Sequence, residues 1–355
     1  MSTLDVSKNN SNFLTINNVK TYVIPHYDLN DFTIEQIKFK NTDKQRAVYK
    51  IVTPDNTYCL KKVYYPAEEL MFVYSAIEWI YRHNIHVPRI LPTKNHGRFV
   101  NYNDMLFILT PWIDGLKCNF NSQYEILLAA ETLGKIHSYS KLFQPISESK
   151  IKVGCSNLYK SINKHFNNLL VYFNLACRFN DNYSKIYLKS FEINIKSAQL
   201  SNYIASLIDE SYLSKSICHN DYVSKNLILD IDDNVWVIDF DKCKIDYCAL
   251  DIGYCLRRVL RKEKINWNFT VAMSFFEEYE LSSQLTLDDY KYLLSYLSFP
   301  QKYWKLSRDY FGNINKCNKK VFCKMLKKAT KDCYYQYDFS LKFKGYIEQK
   351  FNTRL

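Results

Sequence analysis

The stretch "SICHNDYVSKNLILDIDDNVWVIDFD", residues 216–241, limits the folds open to this chain more than any other feature. Two short apolar runs, "NLIL" (226–229) and "VWVID" (235–239), flank the turn-forming residues "DIDDN". The arrangement predicts a β-hairpin. Asp221 and Asn226 then stand at the entry of one strand and Asp239 at the exit of the other. The two ends of a hairpin lie side by side, so these three side chains can converge. Two carboxylates and an amide are hard oxygen donors of the kind that Mg2+ takes alongside phosphates.

The spacing has a precedent in phosphoryl transfer. Protein kinases place a catalytic Asp five residues before a metal-binding Asn, and a second metal-binding Asp before a Phe farther on. Here Asp221 and Asn226 keep that gap, and Asp239-Phe240 ends the next strand. A lone D-x-x-x-x-N is ordinary turn sequence; the combination with His219 and two flanking strands is specific. The pattern predicts Asp221 as base, Asn226 and Asp239 as metal ligands, and His219 as a brace of the loop. Asp251 is a candidate to hold that loop by hydrogen bonds. Such chemistry also needs a cation on the nucleotide phosphates, usually a strand Lys paired with a helix Glu. "TYCLKKVYY" (57–65) supplies Lys61 and Lys62, which point to opposite faces of a strand. Lys61 is the choice for the cleft, because small Cys59 shares its face and leaves room for an adenine. Glu69, early in the next helix, is the preferred partner, ahead of Glu68 and Glu78.

The rest of the chain gives that site a setting. At 355 residues, two lobes are the expectation. The strand-like texts "TIEQIKFK", "AVYKIVT" and "TYCLKKVYY" precede a helical "AEELMFVYSAIEWIYRHN", then "RFVNYN" and "MLFILTPWI". An antiparallel sheet with one helix is therefore expected over residues 14–115, after a loose tail at 1–13. From 116 to 355 the pattern is mainly helical, with helices read over 124–140, 157–173 and 183–209 around the hairpin 216–241. The fold class read from this order is α+β, with a small sheet lobe and a larger helical lobe. The first residues lack the pattern of a secretory signal, and no run approaches 18 apolar residues, so no membrane span is expected. Eleven scattered cysteines without a CxxC pair read as thiols in a reducing cytoplasm. The net charge of +12 is densest over residues 302–331, with ten Lys or Arg against Asp309 alone. No nucleic-acid motif accompanies that basic face, so sequence-specific nucleic-acid binding is not expected; such a face can attract phosphates, anionic polymers or an acidic protein partner.

"CHNDYVSKNLILDIDDNVWVIDFDKCKIDYCALDIGYCLRRVLRK" resembles the aminoglycoside phosphotransferase and choline kinase superfamily, whose brace motif is typically His-Gly-Asp. More narrowly, "KKVYYPAEELMFVYSAIEWI", "VPRILPTKNHGRFV", "PWIDG", "LGKIHSYS" and "FPQKYWKLSRDYF" resemble the CotS family of bacterial spore-coat proteins. The resemblance runs from about residue 20 to 345. It implies a two-lobed protein-kinase-like fold that binds ATP with Mg2+ between its lobes. "LTPWIDG" would be the hinge, with Thr110 and Trp112 against the nucleotide, and a helical insertion at about 155–212 would flank the acceptor. It also implies synthesis in the cytoplasm and a place in the spore coat. Two departures stand out. "NTDKQR" (41–46) has no glycine where a phosphate-binding loop needs close backbone approach, and Asn220 occupies the brace glycine's place. Asn tolerates positive φ, so that backbone position can survive.

Two functions stay open on the sequence. One is a spore-coat-associated phosphotransferase acting on the hydroxyl of a small molecule or sugar. The other is a kinase-fold scaffold, with the basic C-terminal helices and 30 tyrosines contacting other coat proteins.

Overall fold

The computed structural model describes residues 11–40 and 46–355. In chain order its strands are β1 (Thr33–Lys40), β2 (Arg46–Val52), β3 (Thr57–Lys62), β4 (Val100–Tyr102), β5 (Met105–Pro111), β6 (Leu116–Lys117), β7 (Lys215–Cys218), β8 (Leu227–Leu229), β9 (Val235–Val237) and β10 (Lys244–Tyr247). The α-helices are α1 (Ile16–Tyr22), α2 (Ala67–Arg82), α3 (Gln123–Tyr139), α4 (Leu158–Phe179), α5 (Asn182–Lys189) and α6 (Phe191–Ser206). They continue as α7 (Cys248–Leu260), α8 (Phe269–Glu280), α9 (Leu287–Ser298), α10 (Gln301–Phe311), α11 (Lys319–Ala329) and α12 (Cys333–Lys350). The fold is mixed α+β, with an N-terminal antiparallel-sheet lobe and a larger helical C-terminal part. Among the described residues no helix is long and apolar enough to cross a membrane.

The chain forms two compact units that interleave along the sequence. The first takes residues 1–118, 139–153 and 224–244; the second takes 119–138, 154–223 and 245–355. In the first, five strands pair in the order β1-β2-β3-β5-β4. Alternation explains its two faces. Ala47, Tyr49 and Ile51 of β2, Leu60 of β3 and Phe107 and Leu109 of β5 are buried in one core with Val19 of α1. The opposite face is set by register, with Val48 opposite Lys61 and Lys61 opposite Ile108. A second row runs through Lys50, Cys59 and Thr110. The expected loose tail at 1–13 ends early: Ser11–Leu14 makes one 3-10 turn and Leu14 is buried in the core, while residues 1–10 lie outside the described residues.

The second unit is built around stacked aromatics. Tyr183 stacks on Tyr310 with ring centroids 3.8 Å apart, and Tyr187 on Tyr303 at 4.6 Å. These four rings belong to the core and are not available for outward contacts. The single helix read over 183–209 is two helices. Ser190 ends α5 and precedes α6, and its hydroxyl bonds back to the Ile186 and Tyr187 carbonyls, a local competition with the helix ladder.

Candidate active site

Within the first unit, the outward face of the sheet borders a cavity of about 420 Å3 that also takes in Val73 and Ile77 of α2 and residues of the β8–β9 hairpin. The hairpin forms as the sequence implied. Leu227 pairs with Val237 and Leu229 with Val235, and Asp230 closes the turn by accepting the Asp232 and Asn234 N–H groups. Gly115 has φ +152°, and a Cβ there would lie 2.3 Å from the Leu229 carbonyl oxygen, so only glycine lets β6 meet β8. At the open end of the hairpin the Ile238 N–H donates to the Asn226 carbonyl at 2.9 Å. Asn226 therefore sits across from the start of Asp239-Phe240-Asp241, and all of Asn226, Asp239 and Asp241 line the cavity. Asp239 adopts the left-handed conformation (φ 68°, ψ 58°), sparsely populated for a residue other than glycine.

Lys61 enters this cavity and is held by two carboxylates. Its Nζ lies 2.6 Å from Asp239 Oδ1 and 2.7 Å from Asp241 Oδ1. Burial alone would lower its pKa, but Asp241 and Asp239 outweigh burial and hold the ammonium charged, above the usual lysine value. Tyr65 donates its hydroxyl to Asp241 Oδ1 at 3.3 Å, and Lys152 Nζ donates to the Asp241 carbonyl at 3.0 Å. The second carboxylate oxygen of Asp241 is buried without a hydrogen-bond partner. Lys62, on the face of Leu60 and opposite Phe107, is buried and has no ion-pair partner among the described residues; burial lowers its pKa.

The expected Lys61–Glu69 pair does not form. Glu69 instead meets Lys150 at 3.2 Å and Lys152 at 3.8 Å. The reason is local: the Lys150 N–H donates to the Glu68 carbonyl at 3.0 Å, which brings the 139–153 segment against the start of α2, while Asp241 takes the place at Lys61. Glu78 is engaged by Arg89 through two bonds of 2.9 and 2.7 Å. Asp241 was the residue the sequence reading passed over, although it stands two residues after Asp239 in the same quoted motif. Thr110 and Trp112 both line the cavity. The Trp112 N–H donates to the Thr57 carbonyl at 2.9 Å, and Lys50 Nζ lies 4.8 Å from the Trp112 ring centroid. Of the glycine-free segment 41–46, residues 41–45 lie outside the described residues, and Arg46 borders the cavity.

The second unit holds the residues that precede the hairpin. After β7 the chain enters His219-Asn220-Asp221, whose backbone is held by Asp251 from the first turn of α7. Its carboxylate accepts the His219 N–H at 2.5 Å and the Asn220 N–H at 2.8 Å. Asn220 has φ 58°, so the asparagine does take the positive φ anticipated for it. His219 is fully buried, and its Nδ1 accepts the Asp221 N–H at 3.2 Å, so the ring holds the loop backbone. Asp221 Oδ1 accepts the Tyr254 hydroxyl at 3.2 Å. Tyr254 was not foreseen; it follows Asp251 by three residues on α7, so one helix face serves both the loop backbone and the Asp221 carboxylate.

The basic segment 302–331 falls on α10, the connecting loop and α11. Lys319, Lys320, Lys324 and Lys327 of α11, with Lys185 of α5, border a separate cavity of about 750 Å3 in the second unit. Its one carboxylate, Asp181, is engaged by the Tyr310 hydroxyl and caps α5.

Residues 40–280 match the model of a family described as the phosphotransferase enzyme family. Among solved structures, the chain is similar to an aminoglycoside phosphotransferase from Alicyclobacillus acidocaldarius, at 18% identity and TM-score 0.79 over 92% of this chain and 96% of that one. It is similar to a spectinomycin phosphotransferase in complex with ADP and its antibiotic, at 16% identity and TM-score 0.59 over 90% and 97%. An amicoumacin kinase in complex with AMP-PNP and Ca2+ matches at 15% identity and TM-score 0.56 over 92% and 96%.

Proposed function

This chain belongs to the phosphotransferase enzyme family, and from that premise we propose that it is an ATP- and Mg2+-dependent kinase acting on the hydroxyl of a small molecule or sugar. The observation that carries the reading is the Lys61 ammonium held between Asp239 and Asp241 at 2.6 and 2.7 Å. Around it, Lys38, Arg46, Lys117 and Lys225 also border the cavity, giving, with Lys61, five cations on this face against two carboxylates among the described residues. That balance suits a polyphosphate. The donor set fits magnesium: Asp239, Asp241 and the Asn226 amide offer hard oxygens, and the partnerless buried oxygen of Asp241 is a ready ligand position. Bound there, Mg2+ would neutralise phosphate charge.

The remaining roles belong to the chain itself. Lys61 exchanges a carboxylate for nucleotide phosphate, Val48, Ile108 and Thr110 take the base, and Asp221 orients the acceptor hydroxyl and accepts its proton. The acceptor oxygen forms the new bond to the γ-phosphorus as the bond to the β-bridging oxygen breaks, and ADP leaves. Asp251, His219 and Tyr254 hold Asp221 without taking part in the transfer.

Melting curves with and without ATP and Mg2+ test the reading, since a ligand of the native state must raise its stability. A rise is expected. An unchanged curve at millimolar nucleotide supports the second reading, a scaffold without catalysis. The finer proposal, a CotS-type protein of the spore coat that meets other coat proteins through its basic C-terminal helices, is supported by the motif resemblance and the lysines of α11. Immunolocalisation on spores checks it.

A further inference from the structure

The second unit contains a buried cluster that the phosphoryl-transfer reading does not use. His137 of α3, Cys218 at the end of β7 and Cys248 at the start of α7 are all fully buried. One imidazole nitrogen and the two sulfurs lie within 4.8 Å of one another, the one such group found among the described residues. Gly134 makes the approach possible: a Cβ there would lie 2.7 Å from the Tyr279 carbonyl oxygen, so its absence lets α3 press against the α8 backbone. His137 Nδ1 then shares a hydrogen bond of 2.8 Å with the Tyr279 hydroxyl. That bond fixes the ring and leaves Nε2, which is buried with no hydrogen-bond partner, 3.6 Å from Asp251 Oδ2. The sulfurs interact with each other and, through Cys248, with the imidazole, and each has one further contact. Cys218 Sγ is 3.4 Å from the Asp246 carbonyl, and Cys248 Sγ is 3.3 Å from Ser216 Oγ.

We propose that His137, Cys218 and Cys248 form a buried structural site for a zinc-like divalent cation. The chemistry of the donors selects the ion. Two thiolates and an imidazole suit zinc, whereas the oxygen-only set at Asp239 and Asp241 suits magnesium. A metal-ligating histidine characteristically donates its other N–H to an oxygen, the place the Tyr279 hydroxyl fills here. Zinc–sulfur bonds of about 2.3 Å put two thiolates roughly 3.8 Å apart in a tetrahedron, a spacing that ligand atoms within 4.8 Å of one another can reach by a small contraction. Binding releases the thiol protons, and because the site is closed to solvent the ion enters as the chain folds. Asp251, whose Oδ2 lies 3.6 Å from His137 Nε2, also accepts the His219 and Asn220 N–H groups, which places the cluster beside the loop that carries Asp221.

The test uses the full chain, produced with zinc and purified under reducing conditions without chelator. Elemental analysis should find about one zinc per chain, and Cys218→Ser or Cys248→Ser should reduce it to about a tenth or less, while exposed Cys177→Ser retains it. Refolding the wild-type chain with Co2+ should give a sulfur-to-cobalt charge-transfer band. Cobalt held by oxygen ligands at Asp239 and Asp241 cannot produce that band, so the readout is independent of nucleotide binding and activity. It also needs no variant to fold. Folded, reduced wild-type protein that carries no stoichiometric zinc and shows no such band overturns the proposal and leaves the cluster a hydrogen-bonded part of the core.

Discussion

Lys61 carries its charge between two carboxylates, of which Asp239 is also an oxygen donor of the proposed metal site. Because that donor is lost, Asp239→Asn should remove most of the stabilisation by ATP and Mg2+, which for wild type at a hundredfold excess over Kd amounts to about 2.7 kcal/mol. Thermal denaturation with and without nucleotide measures it; a full wild-type shift in the variant sinks the assignment of Asp239. Lys61→Ala should lose the nucleotide shift and also lower the melting temperature without ligand, since Asp239 and Asp241 are left facing each other. Lys62→Met should behave oppositely. A buried ammonium without an ion-pair partner is replaced by an apolar chain of similar length, so the ligand-free protein should melt higher and keep its ATP shift. Equal losses from the two lysine changes would show that both reach the phosphates. Strand alternation does separate the two lysines, with Lys62 on the Leu60 face and Lys61 on the other. The partner of Lys61 was not legible in the sequence. Asp241 is 180 residues away in sequence, and no local pattern brings it to β3.

At the scale of elements, the hairpin was legible from two apolar runs around a turn, the sheet from alternation that survives the register shift between Gln36 and Lys38 of β1, and α2 from its 3.6 period. The break at Ser190 was not, since apolar spacing continues through it and only a side-chain hydrogen bond to the preceding turn interrupts the ladder. On α11, repulsion among Lys319, Lys320, Lys324 and Lys327 is what an anionic partner would relieve. Reversing Lys319, Lys320 and Lys324 to Glu should make the protein leave a polyanionic matrix at much lower salt. Its melting temperature and ATP shift should be preserved, because exposed charges contribute little to stability and are screened. Elution unchanged by the triple reversal would show that the face is only the outer side of a packed helix.

The whole molecule does not divide where its composition changes. A cut after residue 115 looked natural from the switch to helical patterning, yet the first unit also needs 139–153 and 224–244. Those segments join through non-local contacts, such as Cys118 N–H to the Leu227 carbonyl at 2.9 Å and Lys152 to Asp241, which no local pattern announces. A fragment of residues 1–118 should therefore neither melt cooperatively nor bind ATP, as circular dichroism and calorimetry would record; a cooperative, nucleotide-binding fragment would contradict the interleaved organisation. This threading also puts a delay into the making of the protein. The sheet is finished when residue 118 leaves the ribosome, but its last wall arrives only with residue 244, on the order of ten seconds later at ordinary rates of synthesis. During that wait the half-built cavity stands open on the nascent chain, so its completion cannot run ahead of translation.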